Sequence, residues 1–166
     1  MEQTDNFGFG EEAALIKETA RKFFADNFTT DTLHALVYED QNPERMSDCA
    51  WDEDLWRQMV ALGWTSLAVP ESAGGLDMPL VAVAGLVEEL GRAAFPCPLL
   101  PTLNCTYVLA ACGGAGEEPL GRIAEGASAS LAITNAQGSW EPDATDVTLA
   151  QGKLSGTACF VQEART

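Results

Sequence analysis

Few groups in this chain have the types and spacing that chemistry needs. Glu88 and Glu89 stand side by side in the run LVEELGR, and paired carboxylates are raw material for general acid–base work. In so apolar a run the pair reads as a solvated edge plus a buried or arginine-paired acid, not as a catalytic couple. His34 is the only histidine. The five cysteines (Cys49, Cys97, Cys105, Cys112, Cys159) are odd in number, irregularly spaced and without a CxxC pair. That pattern predicts no metal site and points to buried free thiols in a reducing cytoplasm. Glu71 stands in VPESAGG, where an acid can cap a turn.

The stretch GWTSLAVPESAGGLDMPL (63–80) holds three glycines, two prolines and two charges among apolar residues. It is either a connection between helices, with glycines supplying positive φ, or a wall built against something flat. Its setting is helical. Leu15, Ile16, Ala20, Phe23, Phe24 and Phe28 recur at helical spacing over 11–27, with Glu at the start and Arg21 and Lys22 in the second half. Leu33, Leu36 and Val37 suggest a short helix before QNPERMSD breaks the pattern. Asp52 is placed to cap a helix carrying Leu55, Trp56, Met59, Val60 and Leu62, which Gly63 would stop. Residues 80–90 are apolar nearly all round and end at Gly91, as a helix packed between neighbours would. FPCPLLP is a stiff connector, 102–111 a further apolar helix, and 119–124 a short one.

From Ser128 the pattern changes. SASLAIT, DVTLAQG and SGTACFVQ are short runs with β-branched and alternating positions, separated by Gly, Pro and Asp, and they read as strands. About forty residues of strand are too few for a sheet with its own core. The expected fold is therefore α+β: an N-terminal all-α helical bundle over 1–127, followed at 128–166 by the first strands of a β-barrel-like middle domain.

Composition narrows the function. Acidic residues outnumber Lys and Arg by 25 to 9, for a net charge of −16, which disfavours nucleic acid and anionic membrane surfaces as partners. The 46% hydrophobic content suffices for a core. The acidic N-terminus lacks the features of a secretion signal, and no apolar run approaches the ~20 residues that cross a bilayer. A cytoplasmic location follows as the expectation.

Three motifs occur in order: W-x5-L-G-W at 56–64, V-P-E-x-x-G-G at 69–75 and E-E-L-G-R at 88–92. With them the chain resembles the acyl-CoA dehydrogenase family of flavoproteins over essentially its whole length. The resemblance implies an N-terminal helical domain and the start of a middle β domain, with FAD and an acyl-CoA held against them. It also implies α,β-dehydrogenation of an acyl-CoA thioester, in which a carboxylate takes the α-proton and the flavin receives the β-hydride. That carboxylate belongs to a C-terminal portion not represented here, so no catalytic residue is expected in this chain, which alone would be inactive.

The resemblance carries cofactor-binding roles to Thr134, Gly138 and Ser139 in TNAQGS, where Asn135 replaces the family's acid and the loop is one residue short. It carries them also to Phe160 and Gln162, in place of a W-I-T strand beside the isoalloxazine. Trp51, Trp56, Trp64 and Trp140 read as core or domain-interface fillers, with a place near the ligand mouth as the alternative for Trp140, next to Ser139. The FPCPLLPT connector and the loose flavin loop resemble bacterial members that act as heteromers on steroid or other bulky acyl-CoAs, so homo- or hetero-oligomers of dehydrogenase-like subunits are expected. The rival expectation is a non-catalytic partner subunit or isolated fragment that serves as an assembly module.

Overall fold

In the computed structural model, residues 9–39 and 51–163 are described. Among the described residues six α-helices come first: α1 (Glu11–Asn27), α2 (Thr30–Glu39), α3 (Glu53–Ala61), α4 (Leu80–Ala93), α5 (Leu99–Ala111) and α6 (Glu117–Ala124). A two-stranded antiparallel sheet follows, β1 (Thr148–Ala150) and β2 (Lys153–Ser155). The breaker QNPERMSD and Cys49 lie outside the described residues apart from their flanks.

Each helix forms for local reasons. Glu11 and Glu12 occupy the first turn of α1, where the helix dipole favours negative charge. Its last turn holds no base; Arg21 lies earlier in the helix and is turned toward α4. The Asp52 carboxylate accepts from the N–H groups of Asp54 (2.8 Å) and Leu55 (3.0 Å) and caps α3. At the other end Gly63, at φ +77°, donates to Val60 (2.9 Å) while Trp64 donates to Met59 (3.1 Å), a Schellman closure. The helix α4 runs past Gly91 and ends instead at Ala94, which takes the left-handed conformation at φ +50°.

The core lies where α1, α3, α4 and α5 meet. Ala20, Phe24, Trp56, Met59, Trp64, Leu86, Leu99 and Leu103 are all buried there. Each large apolar side chain so enclosed contributes about 1.5–3 kcal/mol. Phe24 lies 5.7 Å from Trp64 and 5.8 Å from Phe95 between ring centroids, and Phe28 lies 4.8 Å from Phe95. Trp51 is half-buried and joins this core through Trp56, 5.9 Å away. A smaller cluster, Val69, Cys105, Leu120 and Ile123, seats α6.

The adjacent glutamates divide as their setting demands. Glu88 is exposed and pairs with Lys17 (2.6 Å). Glu89 is fully buried and held by Arg21 (2.8 Å) and by Arg92 (2.6 Å), so the α1–α4 seam is closed by charge as well as packing. Hydrogen bonding from Arg21, more than any other contact, holds the Glu89 carboxyl below the ordinary carboxylate range.

The 63–80 stretch is a connection folded back on its own first half. Leu76 donates to Ser66 (3.0 Å), Asp77 to Val69 (2.9 Å) and Met78 to Leu67 (2.8 Å). A Cβ at Gly75 would lie 1.9 Å from the Val69 carbonyl oxygen, so only glycine permits this fold-back. Glu71 is exposed at the start of a single 3-10 turn, which is closed by its carbonyl, an acceptor from Gly74 (3.0 Å).

Beyond α6 the chain stays fastened to the helices. The Trp56 indole donates to the Gly126 carbonyl (3.2 Å), and the Thr102 hydroxyl both accepts from Ala129 N–H (3.0 Å) and donates to its carbonyl (3.3 Å). The expected strands are only partly realised. SASLAIT runs without a ladder except for one bridge, Thr134 to Cys159, and the last run contributes only Ser155 to β2 and that same bridge. Alternating residues mark strand tendency, but a ladder needs a partner in register, and here only β1 and β2 find one. Their turn places Gln151 and Gly152 at φ +51° and +73°, as a tight two-residue hairpin requires.

Candidate functional site

The site grows from α5. Pro101 and Asn104 lie three residues apart on one face of that helix, and Thr102 between them fixes the extended chain at Ala129. That chain then carries Leu131, Ile133 and Thr134 alongside. The returning segment is tied back by the Cys159 N–H to the Thr134 carbonyl (2.8 Å) and by the Ser130 hydroxyl to the Gln162 carbonyl. Together these elements enclose a cleft of about 500 Å³, whose lining includes Pro101, Asn104, Thr134, Gly138, Phe160 and Gln162. Trp140 stands on its rim.

Four of the five residues expected to meet a cofactor are thus brought to one cleft, although Thr134 and Gln162 are far apart in the chain. Ser139 is not among its lining. Its hydroxyl accepts from Glu141 N–H (3.3 Å) and its own N–H donates to Asn135 (2.8 Å), both turn bonds. Phe160 adopts φ +54°, a region bulky residues rarely enter, and its ring is 81% exposed. Trp140 is 73% exposed, unlike Trp56 and Trp64.

Asn135 is the residue that sequence reasoning undervalued. Its buried amide accepts from Gln137 (3.0 Å) and Ser139 (2.8 Å) and donates to the Ala144 carbonyl (2.8 Å). A carboxylate could make the first two bonds but not the third, since it has no donor. The signal was available as an Asn two residues before Gln and three before Gly, the mark of an Asx turn. Pro101 and Asn104 were missed because an apolar helix gives no hint of which face meets the β segment.

A second cleft, about 370 Å³, shares Pro101 and Gln162 with the first and continues along α4 past Val87, Leu90, Gly91 and Ala94. Cys97 lines it, and burial pushes this thiol up to about 12, which keeps it protonated and un-nucleophilic. Cys105 is buried as well, but Cys112 is exposed and Cys159 half-buried, so the expectation of uniformly buried thiols is corrected for those two. The 63–80 connection lines neither cleft. Leu67, Leu76 and Met78 instead line a separate groove with α1. Among the described residues no group of three His, Cys, Asp or Glu is placed to hold a metal ion, and no helix is long and apolar enough to cross a membrane.

The chain's sequence matches the family described as acyl-CoA dehydrogenase, N-terminal domain, over residues 10–120. The chain belongs to the acyl-CoA dehydrogenase family. It is 33% identical over 126 residues to the acyl-CoA dehydrogenase IpdE2 of Mycolicibacterium smegmatis, a match covering 72% of this chain and 40% of that protein. Among solved structures it superposes on the Tcur3481-Tcur3483 steroid ACAD G363A variant with a TM-score of 0.75 and 31% identity, covering 92% of this chain and 42% of the other. The ChsE4-ChsE5 complex from Mycobacterium tuberculosis gives a TM-score of 0.64 at 19% identity, covering 83% and 35%, which shows the shared fold. The chain spans about two fifths of the length of the curated relatives it matches. The helices followed by a short antiparallel pair are the helical domain of that fold and the start of its middle domain.

Proposed function

We propose that this chain forms one side of the FAD and acyl-CoA site of an acyl-CoA dehydrogenase, with 1–127 as the helical domain and 128–166 as the beginning of the β domain. The observation that carries this reading is the convergence of Thr134, Gly138, Phe160 and Gln162 on one cleft. The lining suits the cofactor in kind. An aromatic ring, a hydroxyl and two amides stand among apolar side chains, as a flat heteroaromatic with polar edges requires.

Thr134 and Gln162 would hold the cofactor by hydrogen bonds and Phe160 by packing on its edge, while Ser139 supports the turn through Asn135. Bound FAD supplies the acceptor for the hydride removed in α,β-dehydrogenation. This chain's own part is to orient the thioester and exclude water, with Trp140 and Ile133 closing the mouth. None of the named lining residues of the first cleft is a carboxylate, so removal of the α-proton is assigned to a base outside them. The steroid named for one structural relative, and the continuous second cleft, support a bulky acyl group, and that relative's two-component title supports a homo- or hetero-oligomer of dehydrogenase-like subunits.

A second reading, a non-catalytic assembly module, is favoured by the exposure of Leu149 and Leu154, a cross-strand pair on the hairpin. Titration with FAD followed by visible absorbance separates the two. The dehydrogenase reading expects uptake, weakened about tenfold in Phe160→Ala or Gln162→Ala, the equivalent of ~1.4 kcal/mol. A colourless protein that takes up no FAD supports the assembly reading.

A further inference from the structure

Among the described residues beyond Ile123, Asn135 is the one that is buried. It is an amide and not an apolar side chain, so this segment is organised by hydrogen bonds where the helical block uses packing. All four of its polar atoms are engaged. Its N–H donates to the Ser139 carbonyl (2.9 Å) and its carbonyl accepts from Gly138 (3.0 Å). Its side-chain oxygen accepts from Gln137 (3.0 Å) and Ser139 (2.8 Å), and Nδ2 donates to the Ala144 carbonyl (2.8 Å).

The residues so fixed belong to the wall of the first cleft. Thr134 precedes Asn135 and Gly138 donates to it, and both line the cleft, whereas Asn135 does not. Its Nδ2 bond ties this loop to the turn Pro142–Ala144. A carboxylate at 135 would keep both acceptor bonds, lose that tie and set an oxygen against the Ala144 carbonyl. A protonated carboxyl would regain the donor. The surroundings oppose a charge here. The titratable groups around the loop are Glu141, Asp143, Asp146, whose carboxylate accepts from Ala136 (3.0 Å), and Cys159 across the Thr134 bridge, and no Lys or Arg occurs between Arg122 and Lys153. A carboxyl buried without a cation titrates above its ordinary range.

We propose that Asn135 is a positioning residue for the cofactor: its amide, bonded to Ala144, holds Thr134 and Gly138 at the cleft in a binding-ready arrangement. This rests on the reading of the first cleft as an FAD site.

The test is titration of the full chain with FAD, followed by visible absorbance, in wild type, Asn135→Asp and Asn135→Ala, at about pH 5 and about pH 8 to bracket the raised carboxyl. Relative to wild type at the same pH, Asn135→Asp should bind about 10- to 100-fold more weakly at the higher pH and recover to within about threefold at the lower, as loss and return of one buried hydrogen bond predict. Asn135→Ala has no proton to gain and should be weakened by a similar factor at both. A purely structural defect would show no such recovery. An Asp variant weakened equally at both pH values, or at neither, overturns the positioning role while leaving the cofactor site standing. Wild type that takes up no FAD overturns the site and the role together.

Discussion

The helical block and the segment that follows it solve opposite problems with one chain. In the block, apolar side chains from four helices and a folded-back connection cover one another, and even a buried carboxylate has two guanidinium partners. In residues 132–163, Ile133, Trp140, Leu149, Leu154 and Phe160 all stand largely exposed. The block is held by its own contacts. The later segment is positioned by a few anchors, chiefly Thr102, Trp56 and the Thr134–Cys159 bridge, and spends its apolar surface facing outward. Under the proposed function, stability rests on the block while most of the ligand contacts fall in the later segment, and substitutions should sort accordingly.

The sharpest way to break that contrast is a pair of leucine truncations. Leu86→Ala, at a fully buried position, should cost about 2–5 kcal/mol in urea unfolding. Leu154→Ala, on the exposed hairpin, should stay within about 0.5 kcal/mol. Comparable losses at both sites would show the hairpin to be part of the cooperative core. A smaller effect is expected of Asp52→Ala, which removes the α3 cap and should lower stability by about 1 kcal/mol.

The Arg21–Glu89–Arg92 cluster should contribute less again, because both guanidiniums are more than half exposed and solvent screens them. Its effect has a direction in pH. Glu89 is depressed in the folded state, so its contribution is present above the ordinary carboxylate range and is lost as the pH falls through the folded value. Glu89→Gln should flatten the acid limb of a melting-temperature profile, and an unchanged limb would remove the cluster from the account. Finally, with no change in stability, iodoacetamide should label Cys112 well before Cys97, whose thiol is buried and protonated.

Local features were legible in the sequence and non-local ones were not. The Asp52 cap, the Gly63 stop, the burial of Phe24 and Trp64, and the division between Glu88 and Glu89 each follow from helical spacing or from chemistry within a turn. Gly91 misled as a helix stop because Ala94, which ends α4, carries no mark of a left-handed residue. The three runs after Ser128 carry the alternation of strands, yet pairing depends on partners distant in sequence, and only Thr148–Ala150 and Lys153–Ser155 pair. The family motifs led to Thr134, Gly138, Phe160 and Gln162 as candidates, and these line one cleft, but the closure of the loop by Asn135 required its amide donor to be counted.

The most direct test is hydrogen exchange with and without FAD and octanoyl-CoA. Slow exchange in α1, α4 and α5 with fast exchange over 132–163 is expected without ligand, and added ligand should slow exchange selectively at 131–140 and 158–163. Protection that appears elsewhere, or nowhere, would contradict a ligand site built on the cleft between α5 and the β segment.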